Sequence, residues 1–106
     1  MQENEGKIYN ALALDLAKNF AIDANKPIYD VENFLGRLEK KMSELIFDLI
    51  QNDYNRLLAI LYRIDVDEKT VSDCLGGTDI FTASDNLAHA VIERQIKKIK
   101  YRMGNY

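Results

Sequence analysis

Apolar residues recur along most of this chain at spacings of three and four, and that period predicts helices. The clearest run lies between Asp30 and Gln51. There Val31, Phe34, Leu35, Leu38, Met42, Leu45, Ile46 and Leu49 form one stripe, with Glu39, Lys40, Lys41, Glu44 and Asp48 mostly opposite. An earlier stripe of Ile8, Leu12, Leu16 and Phe20, supported by Ala11, Ala13 and Ala17, predicts a helix over about 7–22. Pro27 bounds the next segment, and Lys26 before it is expected to be extended. Asp30 is placed to cap the second helix, over about 30–51.

Asn52-Asp53 interrupts that pattern, and Asp53 offers a cap for a third helix over about 54–64. Leu57, Leu58, Ile60, Leu61 and Ile64 cover most of its circumference, so it is expected at the centre of the fold. Asp65 or Asp67 can cap a short fourth helix, about 67–75, carrying Val71, Cys74 and Leu75. Gly76-Gly77 stops it, because glycine takes the left-handed conformation that closes a helix. Thr82-Ala83-Ser84-Asp85 has the spacing of a capping box with Thr82 as N-cap. A last helix follows over about 83–103, roughly 31 Å long at 1.5 Å per residue. Its stripe is Leu87, Ala88, Val91, Ile92, Ile96 and Ile99. Strand alternation and internal repeats are absent. The chain therefore reads as an all-α, single-domain bundle of about five helices across 1–106, with 1–6 and 104–106 frayed.

Composition supports this picture. One proline and five glycines leave little punctuation, which favours long helices. With 106 residues, folding can remove roughly 65% of the unfolded chain's surface, enough for one core. The apolar share of 47% and charged share of 29% are those of an ordinary globular domain. A net charge of −3 does not advertise a nucleic-acid or membrane partner. Cys74 stands alone, which excludes an internal disulfide and a cysteine-based zinc site. The start, MQENEGK, lacks the basic and apolar regions of a signal peptide. No apolar run approaches the ~20 residues of a membrane span. A cytoplasmic location without membrane association is the expectation.

Few residues offer chemistry. Asp65, Asp67 and Glu68 could ligate a hard cation, but they lack the later ligands and the glycine of an EF-hand loop. Acids at a helix start complement its dipole, which is the plainer reading. His89 is the only histidine and shares a helical face with Glu93, which reads as a polar flank of the last helix. Cys74 falls on the apolar side of its helix and reads as a small hydrophobe. Gly76-Gly77-Thr78 lacks the lysine pattern of a phosphate loop. Arg63 is expected either to pair with Asp65 and fix the turn between the third and fourth helices, or to bond carbonyls at the helix end. The stretch Arg94 to Arg102 carries five positive residues and no acid. A basic helix can dock on phosphates, although lysine and arginine also stabilise a helix's negative end.

At Leu57–Lys69, LLAILYRIDVDEK, and again at Ala88–Lys97 with its Arg94-Gln95-Ile96-Lys97 ending, the chain resembles small uncharacterised bacterial all-helical proteins. These pair an LYRIDV-type segment with a basic C-terminal helix. The resemblance covers roughly the second half and implies no activity and no catalytic residue; the stretch before about Lys41 departs from it.

The expected function is a non-catalytic protein-interaction or regulatory module, self-association included, with no cofactor and no metal. Phe81, Tyr101, Met103 and Tyr106 lie near element ends, where one core does not cover them. Candidate interaction residues are Arg63, Asp65, Arg94, Lys97, Lys98, Lys100 and Tyr101. The alternative is nucleic-acid binding by the basic last helix.

Overall fold

A computed structural model describes residues 7, 8, 10–12, 14, 15, 31–77 and 79–104. The expectations placed on Ala13, Leu16, Ala17, Phe20, Lys26, Pro27, Asp30, Thr78 and Tyr106, and on the side chains of Val31 and Phe34, lie outside the described residues. The fold is an all-α bundle of five helices. The first, α1, has its described residues within 7–15. The others are α2 (Val31–Asn52), α3 (Tyr54–Ile64), α4 (Glu68–Leu75) and α5 (Ile80–Arg102).

The amphipathic stripes are the packing surfaces. Leu38, Met42 and Ile46 of α2 are buried, with Leu35, Leu45 and Leu49 packed partly against them. They face Leu87, Ala88, Val91, Ile92 and Ile99 of α5, and Ile8 and Leu12 of α1 join the same core. Each fully buried large side chain stabilises the fold by roughly 1.5–3 kcal/mol relative to exposure. The α2–α5 pair is the most extensive helix contact and runs antiparallel, since Glu39 meets His89, Ser43 meets Asp85 and Phe47 meets Phe81.

The structure corrects the place given to α3. Its inward residues, Leu57, Ile60, Leu61 and Ile64, occupy one side only. Leu58 is 38% exposed and Tyr62 86% exposed. α3 is a peripheral helix with a second apolar face, and the α2–α5 pair holds the centre.

Capping follows short-range geometry. Asp53 accepts from the Arg56 N–H at the start of α3, and Asp67 accepts from the Thr70 N–H at the start of α4. Gly76, with extended ψ, and Gly77, at φ +69°, end α4. The expected capping box of α5 is corrected. Asp79, not Thr82, caps this helix and starts it at Ile80. Thr82 donates both its N–H and its hydroxyl to the Asp79 carboxylate, each at 2.9 Å. Those two bonds, the backbone one first, hold Asp79 below the ordinary carboxylate range. Asp85 is occupied elsewhere, accepting from the Ser43 hydroxyl of α2.

Candidate functional site

The candidate residues converge on the corner between α3 and α4. Asp65 closes α3 in the left-handed conformation, φ 68° and ψ 46°. Its N–H bonds the Tyr62 carbonyl at 3.1 Å, and the Val66 N–H bonds the Leu61 carbonyl at 3.1 Å. This is the paired closure of a Schellman turn, with Val66 buried as its apolar follower beside buried Leu61. Asparagine and aspartate tolerate the left-handed region better than other side chains, which suits Asp65 to this place.

The expected Arg63–Asp65 ion pair is not how the corner is held. Asp65 is gripped by Arg94 of α5, whose Nε donates to the Asp65 carbonyl and whose Nη2 donates to its Oδ2, both at 3.0 Å. Lys98, one turn further on, donates to the Ile64 carbonyl at 3.0 Å. Cations bonded to the free carbonyls of a helix end oppose its negative pole. Two α5 residues thus bond the carbonyls at this helix end, and Arg63 itself is exposed.

This redistributes the basic run. Arg94 and Lys98 clamp the corner, and Arg102 reaches Asp15 of α1 at 2.8 Å. Lys97, Lys100 and Tyr101 are exposed. Lys97 also lines an open polar cavity of about 470 Å³ with Asp65, Asp67, Thr70, Glu93 and Arg94. Its acids are largely engaged: Asp65 by Arg94, Asp67 as a helix cap, and Glu93 by His89 at 3.0 Å. His89 also approaches Glu39 of α2 at 3.5 Å and is well exposed, which makes it a surface bridge between α2 and α5. Cys74 is half-buried against the core, and burial, then the Asp73 charge, pushes its thiol pKa up. A raised thiol is a poor nucleophile at neutral pH.

Across the corner lies a different surface. An open groove of about 360 Å³ runs between α3 and α4. Its floor includes Leu61, Val66, Val71 and Leu75, and its α3 wall is Tyr54, Leu58 and Tyr62, one turn apart along the helix. Glu68 and Ser72 supply the polar edge. Val66 lines both the groove and the polar cavity. The clamp on Asp65 therefore fixes the corner from which both groove walls diverge. The sequence carried the signal for this face in Tyr54-x-x-x-Leu58-x-x-x-Tyr62, where reading Leu58 as core hid it. A smaller aromatic feature sits at the other end of α5, where Phe81, 70% exposed, stacks on Phe47 at 4.7 Å.

Among the described residues no helix is long and apolar enough to cross a membrane. Comparison with protein-family models, curated proteins and solved structures finds no match to this chain.

Proposed function

We propose that this chain is a non-catalytic protein-interaction module, acting in the cytoplasm, whose docking face is the groove between α3 and α4. One observation carries the reading. Tyr54, Leu58 and Tyr62 are 43%, 38% and 86% exposed, yet they stand together beside apolar Val71 and Leu75. A rimmed apolar surface of this kind is characteristic of binding sites, and tyrosine is favoured at them. The polar cavity supports chemistry less well, because most of its charged groups already serve the fold.

The test pairs two variants. Leu58→Glu puts a charge into the groove from an exposed position, so the fold is retained and the partner is lost. Lys97→Glu lies outside the groove and leaves capture unchanged. Affinity capture from native cells, read by mass spectrometry, compares both with the parent chain, while light scattering tests a second copy as the partner. Partner capture or self-association that is indifferent to Leu58→Glu overturns the proposal.

The second reading is nucleic-acid binding by α5. Exposed Lys97, Lys100 and Tyr101 favour it, while the engagement of Arg94, Lys98 and Arg102 within the chain weakens it. A mobility shift at low salt that declines steeply with added salt supports it.

A further inference from the structure

We infer that α4 is a movable wall of the groove, opening as a unit about its two ends while α2, α3 and α5 stay folded. This rests on the proposed docking role only for its purpose; the motion is a property of the fold. Among the described residues, α4 is the helix with no fully buried side chain. Val71, Cys74 and Leu75 only partly pack on the core. Its two ends are unlike: one is a closed turn fixed on α5, the other a glycine pair. The preceding turn holds Asp65 at φ 68°, and the following one pairs extended Gly76 with left-handed Gly77 at φ +69°.

The clamp defines where the motion stops. Arg94 and Lys98 fix the end of α3, up to Asp65, onto α5. No such bond holds Asp67 or any α4 residue to another helix among the described hydrogen bonds. The pivot is pinned, while among the described residues the wall is held on α5 by partly buried apolar side chains with no hydrogen bond or ion pair between the helices. Segments with few buried contacts open at a lower free energy than the whole fold. Leu61 and Val66, 2% and 8% exposed in the closed state, already line the groove, and opening widens the way to them.

Native-state hydrogen exchange on the full chain tests this without any partner. The backbone-bonded amides of Val71–Leu75 should exchange at least tenfold faster than the bonded amides of α3 and α5, with little dependence on low urea. Val71→Ala should speed α4 further and leave α2 unchanged. Equal rates in α4 and α5 with the same urea dependence overturn the inference. That outcome would leave docking on a rigid groove intact, and failure to capture a partner would leave the exchange result standing.

Discussion

Arg94 holds Asp65 by both backbone and side chain, its Nε on the carbonyl and its Nη2 on the carboxylate, across 29 residues of sequence. The two bonds share one planar guanidinium, so lysine cannot reproduce them. Arg94→Ala should lower stability by about 1 kcal/mol, the usual worth of charge-assisted bonds reduced for a group about a third exposed. Arg94→Lys should recover less than half of that. Urea unfolding midpoints measure both, and a loss below about 0.3 kcal/mol in Arg94→Ala would show the clamp to be ornamental.

Asp65 has two duties that substitutions can separate. Asp65→Gly removes the left-handed strain and the carboxylate but keeps the carbonyl that Arg94 uses. The effects oppose each other, and the variant should fall within about 0.5 kcal/mol of the parent. Asp65→Val keeps the strain, adds a β-branch at positive φ, and should cost about 2 kcal/mol. Thermal unfolding of the pair reads the difference.

Leu57 and Leu58 are neighbours with opposite fates. Leu57 is 0% exposed in the core, and Leu57→Ala should cost about 3 kcal/mol. Leu58→Ala should cost under about 1 kcal/mol, because its side chain leaves no enclosed void. Equal losses would mean that the groove face of α3 is covered in the free protein. The same denaturation series decides it.

Gly36 lies exposed within α2, and a Cβ built there meets nothing within 4 Å. Gly36→Ala should therefore stabilise the protein by about 0.5–1 kcal/mol through helix propensity and a less free unfolded chain. A higher urea midpoint at unchanged slope is the expected record.

Asp79 gives the fold a pH dependence of known sign. Its folded carboxyl lies below the ordinary value of 3.8, so its contribution is full above that value. It is lost as pH falls through the lower folded value. Asp79→Ala should lower Tm at neutral pH, and the gap to the parent should close under strong acid. Asp79→Asn should retain part of the cap and show a weaker pH trend. A gap constant from pH 7 to pH 2 would contradict the ionised cap.

How far the residues disclosed this in advance depends on range. The stripes of α2 and α5 were legible because a period near 3.6 is local, and Asp53 and Asp67 were legible as caps because each bonds three residues on. Thr82 misled because Asp79-Thr82 and Thr82-Asp85 share one spacing. Asp85 is diverted by Ser43, 42 residues away, a contact that no local pattern carries. The clamp failed to show for the same reason: Arg63 was the nearest cation to Asp65 along the chain, whereas Arg94 is the one that reaches it. Leu58 was misread because an apolar residue beside a buried face looks the same whether a neighbour covers it or not.

The antiparallel meeting of α2 and α5 has a kinetic consequence. Its cross-helix contacts, such as Ser43 with Asp85, join residues far apart in the chain, so the central pair must close a long loop before its core forms. Most of that loop is α3 and α4, two short segments whose caps and turn are local. If α3 coils first, the effective loop shortens and the search for the α2–α5 register narrows. α3 is then an early scaffold for the centre, and weakening its Asp53 cap should slow folding as well as loosen the folded state.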